Sequence, residues 1–301
     1  IKECDWSSDV CSSDLPAMIF GGEMLGYVDA LYFVPAMAGI ILAHAGRPVW
    51  GGVLVGLAVA TKPQGILMGP AFALALWQGG GLPAVVMAGV AFSATVGAAI
   101  GPYAAKGALP NMWLAFGSFD ERRDTMSAYA TNIGWLINWY LRSSFGVPEL
   151  GYRAFFQFVT RPLAISRFVE LGYPNPRPIG RLAVIAATLW ALWKTRASKD
   201  LALTMALGAF TVHAFFVLAT GMHEHHQMFE VPLLVLASAL RPLLRPLCYL
   251  VSAIVTLNIN MVYGIGLGMR WAVPRMITGR SEEHTSALQS HSFISYAVFC
   301  L

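Results

Sequence analysis

Residues 201–220 read LALTMALGAFTVHAFFVLAT, a run that contains no Asp, Glu, Lys or Arg. A helix needs about 20 predominantly apolar residues to cross a bilayer. The run therefore predicts a membrane-spanning helix. His213 is the one ionisable side chain in it, and we interpret this histidine as a packed core group, as is usual for a lone polar residue in an apolar segment.

The stretch that follows this helix, residues 222–226, reads MHEHH. Ionisable side chains at the rim of membrane helices are costly unless they handle a ligand. His and Glu are zinc ligands, but the metalloprotease pattern needs a second His four residues after the first, and that position is Gln227. Three interpretations of the segment therefore remain. It is a metal site of another geometry, a simple helix cap, or a segment in which His223 and Glu224 have a phosphate-binding or catalytic role.

The whole chain shares this apolar character. Its mean hydropathy is +0.59 and 12% of its residues are charged, which favours a polytopic membrane protein over a soluble domain. We predict an all-α transmembrane bundle of about eight spans or half-spans, because short helices at membrane depth usually line a cavity within the protein. The predicted segments are 31–45, 49–60, 66–77, 82–103, 182–193, 201–220, 228–240 and 247–269.

Three short connections rich in Lys or Arg predict the orientation of the bundle. They are residues 46–48, 194–199 and 241–246. They share one side only if residues 49–77 cross the membrane twice, with a turn at residues 61–64. The alternative is one long helix with a kink at Pro63. The positive-inside rule favours the double crossing and makes the shared side cytoplasmic.

On this topology Asp29, Lys62 and the MHEHH segment face the extracytoplasmic side. Residues 105–181 face the same side and are too long for a passive connection, so we predict a functional loop region. The aromatic-rich stretch 128–141 within it predicts a helix that lies in the membrane interface.

Both ends of the chain differ from the rest. Residues 12–15 (SSDL) can be encoded by TCT TCC GAT CT and residues 280–283 (RSEE) by AGA TCG GAA GAG, which are reverse complements and resemble sequencing-adapter DNA. We therefore expect 1–15 and 280–301 to be artefacts, to be excluded from fold reasoning. Residues 16–279 would then be a partial transmembrane domain that lacks its natural beginning.

Excluding those ends changes what the composition implies. Two of the 20 Lys and Arg and six of the 16 Asp and Glu lie in them, which leaves 18 basic and 10 acidic residues and a net charge of +8. We attribute this charge to cytoplasmic loops and anionic lipid, not to nucleic-acid binding. Cys248 is the one cysteine that remains, so no disulfide framework is predicted. We interpret Cys248, like His213, as a core residue.

A second polar feature is Thr61-Lys62-Pro63-Gln64. A lysine between apolar stretches normally has a partner or an anionic ligand, and a proline after it frees backbone groups that can serve that ligand. The simpler interpretation is a lysine that extends toward the membrane surface. Asp29, in GYVDALY at 26–32, is either the N-cap of the next helix or a functional carboxylate.

Together these features resemble a known family. YVDALY at 27–32, GLAVATKPQ at 56–64 and MHE at 222–224, before a proline-containing helix, are similar to motifs of the integral-membrane C-type glycosyltransferases (GT-C). The resemblance is to the polyprenol-phosphate-mannose-dependent enzymes and to bacterial relatives of the glycosylphosphatidylinositol mannosyltransferases. It extends over most of residues 16–269. Family members commonly carry an aromatic or Arg-Tyr pair where this chain has two histidines, at 225–226.

The resemblance implies a hexosyltransferase that moves mannose or a similar sugar from a polyprenyl-phosphate donor to an acceptor on the outer face of a bacterial inner membrane. It implies catalytic roles for Asp29 and Glu224, and places the principal carboxylate of the family upstream of this chain, so that the chain as it stands is expected to be inactive. The implied substrate-binding residues are Lys62, Gln64, His223, His225 and His226. We assign no metal ligand and no certain cofactor, and a divalent metal stays open.

Two other classes fit parts of the pattern. A transporter or flippase of an anionic or lipid-linked substrate also uses broken helices and charges at membrane depth, although the sequence has no visible internal repeat. A polytopic metalloprotease is disfavoured by the histidine spacing.

Overall fold

The computed structural model describes residues 30–112, 114, 124–127, 130–144 and 164–263. Within these residues every regular element is helical, which confirms the all-α class. The helices are α1 Ala30–His44, α2 Pro48–Thr61, α3 Gly69–Ala105, α4 Ile133–Ser144, α5 Ile165–Glu170, α6 Pro176–Thr195, α7 Leu201–Leu218, α8 Glu230–Leu240 and α9 Arg245–Tyr263. Short 3₁₀ turns cover Pro63–Met68, Glu224–Gln227 and Pro242–Leu244. The terminal segments 1–15 and 280–301 lie outside the described residues.

Three of the described helical segments are long and apolar enough to cross a membrane, namely Pro63–Ala105, Leu201–Leu218 and Pro242–Ile259. This supports a helical membrane protein. The number is below the eight predicted, in part because α1, α2 and α8 have only 15, 14 and 11 residues. Helices of that length do not reach across about 30 Å of hydrocarbon by themselves.

The chain reverses direction at Lys62. Gly65 packs against Ala58, and Gly79 packs closely against the carbonyl oxygen of Ala43. Residues 48–79 therefore run out and back beside α1, with glycines where two backbones come closest. This hairpin excludes the single kinked helix, and it gives residues 48–79 the two antiparallel legs that the predicted double crossing requires.

Helix α3 reverses direction again within its length. Gly81 has φ 63° and ψ −151°, which interrupts the helix, and glycine adopts this left-handed region without a steric penalty. Beyond it, Ala88 packs on Gly52 and Thr95 on Gly56, so the second part of α3 runs parallel to α2. The predicted segments 66–77 and 82–103 are therefore two antiparallel legs.

The three basic connections meet at one end of the bundle. His44 Nδ1 lies 3.1 Å from Gln78 Oε1, and the Gln78 amide donates to the carbonyl of Ser198. Arg241 pairs with Asp200 at 3.4 Å. We call this the basic end. The three basic connections therefore lie at one end of the bundle.

We call the opposite end of the bundle the far end. Helix α1 begins there, α2 ends there at Thr61, and α7 ends there at Leu218. Between the two ends lies a core of apolar side chains from α1, α2, α3, α7, α8 and α9. Cys248 is buried in this core, as predicted. Large apolar side chains on the outer faces of α3 and α6 are exposed, as a lipid-facing surface requires. They include Leu82, Val86, Val90, Leu182, Ile185 and Leu189.

Candidate functional site

Lys62 is the first functional candidate that the fold places at the far end. It ends α2 in an extended conformation and precedes the Pro63–Met68 turn, which begins at a proline and so needs no N–H donor there. Its Nζ lies 5.3 Å from the centroid of the Tyr32 ring. A cation over an aromatic face is held by the ring quadrupole. Gln64, in the same turn, is half-buried.

Tyr32 connects Lys62 to the helix that follows the MHEHH segment. Its ring centroid is 4.8 Å from that of Phe229, and Phe33 lies 6.2 Å from the same ring. Tyr32 is buried, and tilted aromatic pairs at these distances are favourable. An aromatic junction near the start of α1 therefore joins Lys62 to Phe229, three residues after the MHEHH segment.

The MHEHH segment itself folds into a compact turn. Gly221, at φ 68°, turns the chain after α7, and His223 caps the 3₁₀ turn Glu224–Gln227. The backbone N–H of His223 donates to His226 Nδ1 at 3.3 Å. The ring centroids of His223, His225 and His226 are 4.5–5.5 Å apart. The capping interpretation therefore applies to His223 and His226, and the side chains of His223 and His225 are half-buried.

Residues from the 105–181 region hold this turn in place. The N–H of Gly221 donates to the carbonyl of Met126, and the N–H of Ala130 donates to that of Met222, both at 3.3 Å. Thr131 donates through its hydroxyl to Asn258 Oδ1 on α9 at 2.7 Å. The loop region thus covers the same end of the bundle as the histidines.

The aromatic-rich stretch begins its helix later than predicted. Helix α4 starts at Ile133, because the Asn132 side chain accepts a hydrogen bond from the N–H of Trp135 at 3.0 Å, as an N-cap does. The same side chain donates to the carbonyls of Phe216 and Ala219 at 3.1 and 3.2 Å. One asparagine therefore starts α4 and ties it to the end of α7.

The structure does not describe the side chains of the two predicted catalytic residues, Asp29 and Glu224. Asp29 lies outside the described residues, directly before α1, and for Glu224 only the backbone in the 3₁₀ turn is described. The described candidates, Lys62 and the three histidines, lie at the far end. Within the described part of the chain, no group of three or more His, Cys, Asp or Glu side chains could hold a metal ion.

The prediction that His213 is a packed core group is wrong. Its side chain is 38% exposed, and its Nδ1 lies 2.9 and 3.2 Å from the two carboxylate oxygens of Glu230, which is 1% exposed. Gln227 approaches the same ring nitrogen at 3.4 Å and also hydrogen-bonds the carboxylate. Burial of a carboxylate is costly unless it is paired, so the two side chains need each other.

Sequence reasoning also missed Glu230. The signal was present, since His213 and Glu230 lie close to the facing ends of two consecutive apolar helices. An ionisable group at membrane depth normally has a partner nearby, and consecutive antiparallel helices bring such ends together. That rule could have indicated Glu230 as a candidate partner, although not the geometry of the pair.

The far end thus combines a lysine, three clustered imidazoles and a buried carboxylate–imidazole pair. Such a set can bind an anionic group and accept a proton. Searches against protein-family models, curated proteins and solved structures found no match for this chain.

Proposed function

We propose that this chain is part of a membrane glycosyltransferase that moves mannose or a similar hexose from a polyprenyl-phosphate carrier to an acceptor at the far end. The observation that carries the proposal is the aromatic junction. Lys62 lies 5.3 Å from the Tyr32 ring, and Tyr32 lies 4.8 Å from Phe229. Tyr32 and Lys62 belong to two of the three segments that resemble the GT-C family, and Phe229 follows the third, MHE at 222–224, by five residues.

The chemistry of this transfer needs the residue types found there. The acceptor hydroxyl attacks C1 of the sugar, the bond from C1 to the phosphate oxygen breaks, and the lipid phosphate leaves with the electron pair. In our proposal Lys62 and His223 bind that phosphate and stabilise the charge that develops on it. Glu224 orients His223, and Asp29 lines the acceptor or sugar site. His225, His226 and Gln64 complete the donor site, and a divalent metal stays open as a cofactor.

The proposed setting is the inner membrane of a bacterium. The bundle would have about eight spans or half-spans, with the short helices α1, α2 and α8 lining a cavity open to the carrier. The basic end would face the cytoplasm by the positive-inside rule. The far end, with the 105–181 region, would face outward.

The proposal is tested with the protein in isolated membranes. Membranes carrying it are supplied with a radiolabelled polyprenyl-phosphate hexose, and transfer of label from the lipid is measured. We expect Lys62→Ala and Glu224→Gln to reduce turnover about 100-fold or more, because each removes a group from the donor site. Lys194→Ala, at the basic end, is the matched control.

Wild-type rates in both far-end variants would contradict the assigned roles. The same assay separates the transporter alternative. Movement of the intact labelled lipid to the other leaflet, without cleavage of the sugar, would replace the transferase with a flippase.

A further inference from the structure

We propose that the basic end carries a binding site for an anionic phospholipid, in which Arg47 binds the phosphate and the cleft beside it holds the start of an acyl chain. This inference goes beyond the proposed sugar transfer and does not depend on it. It requires only that the bundle lies in a membrane, which the three long apolar helices support.

An open cleft lies between the first turn of α2 and the second leg of α3. Its volume is about 430 Å³. Its lining residues are Arg47, Pro48, Val49, Trp50 and Met87. We call it the Arg47 cleft. Ala88 packs on Gly52, so Met87 stands beside the beginning of α2. The cleft therefore combines one cation with an otherwise apolar wall.

Arg47 has no acidic side chain to pair with among the described residues. Residues 30–112, which include α1, α2 and α3, contain no Asp or Glu. Each of the four acidic side chains that the structure describes pairs with another residue. The pairs are Asp124–Arg177, Glu170–Arg167, Asp200–Arg241 and Glu230–His213. A guanidinium left in this way at a membrane surface is suited to a phosphate, because its planar set of donors matches the phosphate oxygens.

The apolar wall of the Arg47 cleft is suited to a lipid and not to a water-soluble anion. Trp50 is 64% exposed, and tryptophan is enriched at the level of the lipid headgroups. From Met87 the exposed face of α3 continues through Val86 and Val90. A cation above a continuous apolar strip matches a phospholipid, in which the phosphate and the acyl chains are one molecule. Basic pockets between membrane helices bind such headgroups.

The first turn of α2 adds to the attraction for the phosphate. It begins at Pro48, has no capping side chain and contains no acidic residue. The N-terminus of a helix carries a partial positive charge, which an anion stabilises. Arg47 directly precedes this turn, so the side chain and the helix end attract the same group.

The test is phospholipid binding by the purified, delipidated protein in a neutral detergent. Phosphatidylglycerol and phosphatidylcholine with the same acyl chains are titrated separately, and native mass spectrometry counts the bound lipid. We expect phosphatidylglycerol to bind about fivefold more tightly, which is the usual contribution of one Arg near an anionic headgroup. Arg47→Gln should remove this preference, and Arg47→Lys, which keeps the charge, should retain most of it.

Arg245→Gln is the matched control. Arg245 begins α9 at the same end, is exposed, and also has no acidic partner among the described residues, but it does not line the cleft. The variant removes the same charge, so it should leave the preference for phosphatidylglycerol unchanged. An equal loss in the Arg47 and Arg245 variants would overturn the proposed site, because the attraction would then come from the total charge of the basic end.

A second measurement locates the bound lipid. Phosphatidylglycerol that carries bromine near the start of its acyl chains quenches tryptophan fluorescence, and Trp50→Phe gives the share of Trp50 in that quenching. We expect quenching of Trp50 in the wild type and much less in Arg47→Gln. Equal quenching of Trp50 in both proteins would overturn the assignment. Displacement of the lipid by an excess of inorganic phosphate would also overturn it, since the site would then bind a free anion.

Discussion

The basic end and the far end of the bundle accommodate their polar side chains in different ways. At the basic end the connections are short, and the ion pair of Arg241 with Asp200 is exposed, with 44% and 40% of the two side chains accessible. At the far end the polar side chains Asn132, Gln227, Glu230 and Asn258 are 1–2% exposed. Buried polar groups are costly unless they are bonded, so the far end needs a specific network that the basic end does not.

This difference is consistent with the proposed site at the far end. Solvated Lys and Arg side chains on short loops are sufficient to set the orientation of a membrane protein, and they require no defined geometry. The far end instead holds a carboxylate, an amide and an imidazole against one another through defined contacts. Such networks fix positions of individual atoms, which is what a reaction site requires.

The largest expected effect on stability is at Asn132. Asn132→Ala removes the acceptor for the Trp135 N–H and the donor to the Phe216 and Ala219 carbonyls. We expect a loss of about 3 kcal/mol in the free energy of unfolding, because buried backbone groups lose their partners. Denaturation in detergent measures it. Gln78→Ala at the basic end, where the side chain is only partly buried, should cost less, and equal losses would contradict the contrast between the two ends.

A smaller effect is expected at Thr131. Thr131→Val removes the hydroxyl that donates to Asn258 but keeps the backbone N–H that donates to the same oxygen. The free energy of unfolding should fall by about 1 kcal/mol, the usual contribution of one hydrogen bond. Thr61→Val is the control, since that hydroxyl bonds its own helix at an exposed position. A larger loss in the control would remove the distinction between buried and exposed bonds.

The smallest effect is expected for the basic-end ion pair. Arg241→Gln should lower the free energy of unfolding by less than about 0.5 kcal/mol, because an exposed pair gains little over its hydration. Measurement of the same unfolding transition at low and high salt should give nearly equal values for wild type and variant. A loss comparable to that of Asn132→Ala would show that the basic end also depends on a specific network.

Several features of the fold could be predicted from single stretches of sequence. The apolar run at 201–220 predicted α7, and the apolar segments 31–45, 49–60 and 228–240 predicted the limits of α1, α2 and α8 to within two residues. The charges of the connections favoured a reversal near residues 61–64, and residues 48–79 do form a hairpin. Each of these inferences depends on residues close together in the chain, since insertion of a helix in a membrane is governed largely by its own side chains.

Other features needed the coordinates. Asn132 delays the start of α4 because it reaches α7, 84 and 87 residues further along the chain. The reversal at Gly81 was expected only as a break between two segments. The placement of Lys62 against Tyr32, and of Tyr32 against Phe229, depends on how three helices pack.

The amino-acid sequence by itself determined the helical and apolar character of the part of the chain that the structure describes, because helix formation and hydropathy depend mainly on residues close together in the chain. The tertiary structure alone decided that His213 and Glu230, 17 residues apart, form a pair with the carboxylate inside and the imidazole partly open. That arrangement depends on the rotation and depth of two helices relative to each other. Packing of many side chains fixes both quantities at once, and no single stretch of sequence specifies them.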